Sequence, residues 1–271
     1  MAAGQFRMLK CGIAGVEAVM AQSSHAFPRH THDQFGIGVI ERGAQKSLSG
    51  RGVVEAGPGD TITVNPGEVH DGIPVGDAGR MWRMLYFDPW RVADAVCDMS
   101  EGRLANHELS HPVINDDRLA HRFRGLFIAL TSMPAEESAF QSEEQLLLLL
   151  ASMVREQGVC AVGKGIPQAI ARAQSRIDED PTTTLTLPDL AQACGLSRFQ
   201  VIRGFARATG LTPHAYILQR RVQLARRLIA RGTSLADASL DSGFADQSHM
   251  TRMFVRTYGV SPRTYADAIL R

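Results

Sequence analysis

Three histidines and two clusters near the C-terminus carry the side chains best placed to do chemistry. His30 and His32 stand at H-x-H spacing, which on a strand turns both rings to one face. With His70 they offer three imidazoles, and neutral imidazole suits zinc, iron, copper or nickel. Trp82 and Tyr86 share a face of a further strand and can wall a pocket, while Arg83 between them points the other way. Three readings of the histidines stand side by side: polar lining of a pocket for a small organic effector, a divalent-metal site, or structural side chains. The chemistry of the C-terminal clusters is different. In SRFQVIRGFARATG, Val201, Phe205 and Ala208 recur at i, i+4 and i+7 and read as core. Phe199, Ile202, Arg203 and Ala206 lie on another face, flanked by Arg198 and Gln200, with Arg207 one turn beyond Arg203. The fork of Arg203 matches guanine O6 and N7, and Phe199 or Ile202 matches a thymine methyl. The other reading of Arg203 is a surface arginine held in a salt bridge. In ADQSHMTRMFVRTYG, Met250 and Phe254 read as core. Gln247, Ser248, Thr251 and Arg252 share the opposite face with His249 beside it. Gln247 matches adenine and Arg252 guanine. Arg256 and Arg263 suit phosphates, which position without specifying sequence. His249 reads equally as a partly buried aromatic.

The elements around these residues are legible from local signals. Leu187, Leu190 and Ala191 recur at helical spacing with Pro188 in the first turn. Gly195 ends that helix and Ser197 can cap the next. Helix, tight glycine turn, helix is the arrangement that lays its second helix in the DNA major groove. About fifty residues on, SLADASLDSGF and ADQSHMTRMFVRTYG repeat it around Gly243. The endings FARATGLTPHAY and FVRTYGVSPRTY repeat as well. Between the two units PHAYILQRRVQLARRLIARG reads as a helix over 213–231, about 29 Å long at 1.5 Å per residue. That length approximates one turn of DNA, about 34 Å. Arg220, Arg221, Arg226, Arg227 and Arg231 give it a basic stripe, part of which reads as a solvated face.

From about Gly165 to Arg271 the chain resembles the DNA-binding domain of the AraC/XylS family of bacterial transcription regulators. The residues that carry the resemblance are Leu190, Ala191, Gly195, Ser197, Val201, Arg203, Phe205, Gly210, Pro213, Tyr216, Arg221 and Ala225, then Gly243, Phe244, Ser248, Arg252, Phe254, Gly259, Pro262 and Tyr265. Ala238, Ser239 and Ser242 depart from the larger apolar residues, or Ala, usual in the family. They predict a looser second unit.

Charge agrees with a nucleic-acid module. The chain carries a net +1, yet residues 164–271 hold 15 Lys and Arg against 8 Asp and Glu, so the remainder is acidic. At 271 residues two domains are expected. Hydrophobic residues at 44% and charged residues at 21% fit a globular chain. Cys11, Cys97, Cys160 and Cys194 are far apart and form no CxxC pair, which argues for reduced thiols and a cytoplasmic setting. The first residues lack the apolar stretch of a signal peptide, and the run Leu146 to Leu150 is too short to span a membrane.

Before the resembling region, GIAGVEAVM, FGIGVIERG, GVVEAG, DTITVNP and RMWRMLYFD read as short strands separated by turn signals. HTHDQFGIGVIERG and GVVEAGPGDTITVNPGEVH resemble the two motifs of the cupin fold. His30, His32, Gly59, Pro66, Gly67 and His70 match, and Gly36 stands where metal-binding cupins usually have Glu. Helices are expected at 89–98, 116–133 and 135–157, the last two forming either a dimer surface or a layer on the β domain. A linker is expected at 159–167.

The expected architecture is α+β in two domains. Residues 1–160 form a cupin-like β-barrel followed by helices, which senses an effector and dimerises. Residues 165–271 form an all-α DNA-binding domain with two helix-turn-helix units joined by a long helix. The expected function is a sequence-specific transcription regulator, not an enzyme. Its DNA-binding residues are Arg198, Phe199, Gln200, Ile202, Arg203, Arg207, Gln247, Ser248, His249, Thr251, Arg252 and Arg256. Its effector-binding residues are His30, His32, His70, Trp82 and Tyr86. No cofactor is required, a divalent metal at the three histidines being the candidate. The expected partners are double-stranded promoter DNA, a small-molecule effector, a second copy of the chain and RNA polymerase, with no membrane. The alternatives are a metal-dependent cupin enzyme or metal sensor fused to a DNA-binding domain, and a purely structural DNA-binding protein.

Overall fold

The computed structural model describes residues 5–49, 51–99, 108–109, 111–132, 135–156 and 167–270. The chain divides into two compact units, one comprising Met1–Phe27 with His32–Cys160, the other Pro28–Thr31 with Ala161–Arg271. The expected linker at 159–167 lies outside the described residues except for Pro167, and Cys160 lies outside them too. Cys11, Cys97 and Cys194 are free thiols.

The β region of the chain is built on strands β1 (Gln5–Leu9), β2 (Val16–Ser23), β3 (Phe27–His30), β4 (Phe35–Arg42), β5 (Ala44–Ser49), β6 (Gly52–Ala56), β7 (Thr61–Val64), β8 (His70–Val75), β9 (Arg80–Phe87) and β10 (Val113–Ile114). Helices α1 (Pro89–Met99), α2 (Asp117–Ser132) and α3 (Ala135–Glu156) accompany them. The strands form two sheets, in the orders β1-β2-β9-β4-β7-β10 and β3-β8-β5-β6. Among the described residues neither sheet closes, so the expected cupin-like β-barrel is replaced by two open sheets. A barrel needs every strand paired on both sides. Here the six-stranded sheet ends on one side at β10, a two-residue strand paired only with β7, and on the other at β1, paired only with β2. Strands β1, β3, β5, β8 and β10 were not foreseen.

Strands β4 and β9 lie at the centre and alternate cleanly. Ile37, Val39, Leu85 and Phe87 face Phe123, Leu126 and Leu130 of α2 and Leu146, Leu149 and Leu150 of α3, all nearly inaccessible. Three of the five leucines of α3 are thus consumed by the chain's own core, which supports the layer reading of the helix pair; Leu148 stays 49% exposed. The opposite faces carry Ile40, Trp82 and Met84, packed with Val19, Ala21 and Phe27. Gly36 on β4 belongs to this second face. A Cβ there would come within 2.5 Å of Met84 Cε and 3.3 Å of the Tyr86 ring. A side chain at position 36 would therefore have to displace the end of the Met84 side chain.

The second unit is helical: α4 (Gln168–Glu179), α5 (Leu187–Cys194), α6 (Arg198–Thr209), α7 (Pro213–Ala230), α8 (Leu235–Asp241), α9 (Gln247–Tyr258) and α10 (Pro262–Ile269). Thr186 and Asp189 form a capping box on α5, and Gly195 closes it in the left-handed conformation at φ 66°. Ser197 and Gln200 form the same box on α6, which ends at Gly210. Asp246 and Gly259 bracket α9. Helix α4 was not foreseen. Its Ile170, Ala173 and Ile177 are buried, and Gly204 of α6 admits Ile170, whose Cδ1 would lie 2.7 Å from a Cβ at that position.

The basic stripe expected on α7 is largely internal. Arg221 donates to the carbonyls of Pro181 at 2.7 Å and Gly243 at 2.6 Å, tying the chain after α4 to the turn between α8 and α9. Arg226 is buried and donates to the Tyr265 hydroxyl. Arg220 pairs with Asp178 at 2.8 Å. In α8 the departures Ala238, Ser239 and Ser242 are all buried. The Ser242 hydroxyl donates to the Ala238 carbonyl, whereas the Ser239 hydroxyl is buried without a hydrogen-bond partner among the described residues. Arg221 also reaches the Thr182 and Thr183 carbonyls at 3.4 Å, so Arg221→Met removes four charge-assisted bonds, two of them short, and should cost about 2–3 kcal/mol in urea unfolding. A loss under about 0.5 kcal/mol, typical of a surface change, would show that Arg221 stitches nothing.

Candidate functional site

The two reading helices present polar side chains on the faces opposite their cores. In α6, Val201 and Phe205 are fully buried, while Arg198, Phe199, Gln200, Arg203 and Arg207 are exposed and Ile202 is half-buried. Ala208, expected in the core, is only half-buried. Phe199 is 65% exposed, which is costly for a phenyl ring unless something covers it. The Arg203 guanidinium stands 5.5 Å from the centre of that ring, forming a cation–π pair at i, i+4. Gln200 is less available than expected, since its carbonyl accepts from the Ser197 N–H at 2.9 Å in the capping box.

In α9, Met250 and Phe254 are buried, Gln247, Ser248, Arg252 and Arg256 are exposed, and Thr251 and His249 are half-buried. The His249 ring meets buried Phe244 edge-on at 5.2 Å, and its backbone N–H donates to Asp246 at 2.6 Å. Among the described residues Arg198, Arg203, Arg207, Arg252 and Arg256 make no ion pair, so the salt-bridge reading of Arg203 does not hold. Arg263, by contrast, is paired with Asp267 at 3.2 Å.

In the first unit, strand alternation puts Arg80, Trp82, Met84 and Tyr86 in one row on β9, facing away from the helices. Tyr86 meets His32 at a ring separation of 4.9 Å, and His32 meets His70 at 5.2 Å. His30, His32 and His70 bring one nitrogen each within 4.8 Å of one another. His30 closes β3 and His32 lies just beyond it, so the pair does not sit on one continuous strand. His30 Nδ1 is 2.8 Å from the Pro28 carbonyl and His70 Nδ1 is 3.0 Å from the Glu68 carbonyl. A carbonyl only accepts, so both rings carry their proton on Nδ1 and their lone pair on Nε2. Burial lowers the His70 pKa and keeps the ring neutral, the form a metal requires. Trp82 is not part of this group. It stands four residues, about 13 Å of strand, from Tyr86 and packs against Phe6 and Phe27.

A small cleft with a cavity volume of about 40 Å³, open to solvent, lies between the sheets. Gln45, Ser47 and Ser49 of β5, Val54, Ile62 to Val64, Glu68, His70, Pro112 and Val113 line it. Of the expected effector residues only His70 is in its wall. Its polar β5 side was missed because Gln45, Ser47 and Ser49 lie in a stretch with no apolar alternation. Arg80 was missed as well, although its spacing from Trp82 places both on one face.

Two open sheets backed by helices, followed by paired helix-turn-helix units, define the class of a ligand-responsive DNA-binding regulator. The family described as the AraC-like ligand binding domain matches residues 14–151, and the helix-turn-helix domain family matches residues 190–268. The HTH-type transcriptional regulator YbfI of Bacillus subtilis is 28% identical over 228 residues, covering 83% of this chain and 81% of its own length. The HTH-type transcriptional activator RhaS of Klebsiella pneumoniae is 24% identical over 270 residues, covering 97% and 96%. ToxT from Vibrio cholerae shares the fold with a TM-score of 0.56 at 12% identity, covering 98% of this chain and 98% of that one. The chain belongs to the AraC/XylS family of transcriptional regulators: it is a DNA-binding regulator and not an enzyme. Among the described residues no helix is long and apolar enough to cross a membrane.

The His70 shift sets a pH dependence. Above the ordinary histidine pKa of about 6.5 the folded and unfolded chains both hold His70 neutral. As pH falls through that value the unfolded chain takes up a proton that folded His70 refuses, and stability drops. Melting between pH 7.5 and 5.5 should therefore lose less stability in His70→Gln than in the parent. Equal losses would place the proton uptake elsewhere.

Proposed function

We propose that the chain controls transcription at a promoter by inserting α6 and α9 into successive major-groove segments, under the control of a small-molecule effector bound by the first unit. The observation that carries this reading is the exposed face of α6, where a cation that makes no ion pair among the described residues stacks on an exposed aromatic. Arg203 then reads guanine, Phe199 and Ile202 meet thymine methyls, and Gln247 and Arg252 read bases from α9. Arg198, Arg207, Ser248, Thr251 and Arg256 hold the backbone. His249 contributes from the edge and Gln200 only through the part of its amide that the cap leaves. Helix α7, eighteen residues long, separates the two heads by about 27 Å along its axis, close to one turn of DNA.

The ligand-binding family match and the inter-sheet pocket support an effector. It acts by binding two states of the chain with different affinity. The exposed Ile128 of α2 and Leu148 of α3 support a homodimer through the helix pair. RNA polymerase is the partner we assign at the promoter, and the cytoplasm the compartment. Arg203→Ala should cost about 1–3 kcal/mol at the cognate site and relax one base position. Arg256→Ala should weaken all sequences alike and reduce the salt slope by about 1. Unchanged base preference in the first variant, read from a randomised-site selection, would sink the assignment of α6.

A second reading concerns the three histidines. Their converging nitrogens and the carbonyl bonds that orient His30 and His70 support one divalent transition metal, bound as a regulatory or structural ion. Calorimetry of the full chain with zinc and with nickel should give one ion per chain, lost when His30→Ala and His70→Ala are combined. Binding that survives the double variant would remove the ion from this cluster.

A further inference from the structure

Gln200 is exposed on α6, yet half of its amide is already engaged at the start of the helix. The Ser197 N–H lies 2.9 Å from Gln200 Oε1, and an N–H only donates, so the oxygen turns back to the cap. What remains outward is the Nε2 end, which only donates. Arg198, Arg203 and Arg207 are exposed around it, and a guanidinium has donors and no acceptor. Phe199 and Ile202 have neither. The Ser197 hydroxyl oxygen accepts from the Gln200 N–H at 3.2 Å. Among the described residues, the outward face of α6 therefore holds no carboxylate and no side-chain acceptor that the cap has not engaged.

Such a face fits only part of what DNA displays. The major groove offers acceptors at guanine N7 and O6 and at thymine O4, a methyl group on thymine, and amino donors on adenine N6 and cytosine N4. Donor side chains pair with the acceptors, whereas an amino group meets them donor against donor and stays unpaired. Phe199 supplies the apolar part. Its ring is 65% exposed, and among the four bases only the thymine methyl is an apolar partner for it. The Arg203 guanidinium lies 5.5 Å from the ring centre. Base pairs repeat about every 3.4 Å, so the ring and the fork fall on neighbouring pairs. Because the two side chains already lie together, less ordering remains to be done at the DNA. Helix α9 differs. Gln247 and Ser248 are exposed and Thr251 is half-buried, and amides and hydroxyls both donate and accept.

We propose that α6 reads keto edges and 5-methyl groups alone: a guanine at Arg203, a 5-methylpyrimidine on the neighbouring base pair at Phe199, and a guanine or thymine oxygen at Gln200 Nε2. Amino groups are left to α9. The proposal rests on the insertion of α6 into the major groove and specifies which bases it meets there. One consequence is a response to cytosine methylation. 5-Methylcytosine carries its methyl on the same ring carbon as thymine, so Phe199 holds the methylated base and loses contact with the unmethylated one.

The test begins with a randomised-site selection on the full-length protein, repeated with Phe199→Ala to locate the thymine that depends on the ring. Phe199 lies outside the core, so this variant should melt with the parent. Synthetic copies of the site then carry thymine, uracil, cytosine or 5-methylcytosine at that position, and binding is read by fluorescence anisotropy. Thymine over uracil and 5-methylcytosine over cytosine should each be about three- to fivefold, the worth of one buried methyl. Both ratios should fall to about one in Phe199→Ala. 7-Deazaguanine at the neighbouring guanine removes N7 and should weaken the parent about fivefold or more, with no effect in Arg203→Ala. Gln200→Glu keeps a capping-box residue but points an acceptor outward, so the selection should now favour cytosine or adenine at one position. Uracil bound as tightly as thymine would overturn the methyl reading. A selection unchanged by Gln200→Glu would overturn the donor-only face, and either result leaves the guanine contact of Arg203 standing. A parent that enriches no site would sink the insertion of α6 together with this proposal.

Discussion

The alternation of β9 is the constraint on which the first unit depends. Successive residues must face opposite ways, so Leu85 and Phe87 are committed to the helices and Arg80, Trp82, Met84 and Tyr86 to the space between the sheets. The row that β9 contributes to that space is then set in a line. A buried cation stands at one end, a tyrosine that meets His32 at the other, and large apolar side chains between. Gly36 and Gly38 on the neighbouring strand yield the room that Met84 and Tyr86 occupy, since a Cβ at either would collide with Met84. A one-residue slip between β4 and β9 would bury Arg83 between the sheets and turn Arg80 out. It would also break the pairing of Glu41 with Arg83 and Arg124 on the helix side.

The second unit solves another problem: keeping many arginines on one small helical body without mutual repulsion. Some are spent inward. Arg221 satisfies carbonyls of two loops, Arg220 neutralises Asp178, and Arg226 reaches Tyr265. The others stand outward on α6 and α9 and make no ion pair among the described residues. The division follows the helices. Arg226 on α7 is buried and Arg220, Arg221 and Arg227 are half-buried, whereas the arginines on the reading helices are exposed. A phosphate backbone is the kind of partner an unneutralised outward set suits, and the family to which the chain belongs binds DNA.

Much of this was legible, and the reason is locality. Capping is decided within four residues, so Ser197 with Gln200 and the glycines at 195, 210 and 259 mark helix ends without knowledge of the fold. The closure of the β region was not legible in the same way. Alternation reads alike in an open sheet and a barrel, and closure depends on which strands meet at the edges, a non-local matter. Strand β10, two residues long, carries no pattern at all. Arg221 looked like part of a solvated stripe because its partners Pro181 and Gly243 are 40 and 22 residues distant. The histidines were found by spacing. Trp82 was grouped with them because it shares a face with Tyr86, yet sharing a face leaves the distance along the strand open, and that distance separates them.

His70 connects the remaining pieces. It borders the pocket and also offers a nitrogen to the cluster with His30 and His32. An ion held there would add positive charge beside Glu68, at the end of the pocket otherwise marked by a carboxylate. A ligand that gains from that charge would raise the affinity for the ion by the same factor, because coupling between two binding events is reciprocal. An occupant that displaces the His70 ring would lower it equally. On the proposed readings, an organic molecule between the sheets and an ion at the histidines would share one imidazole, and the binding of each would be coupled to the other.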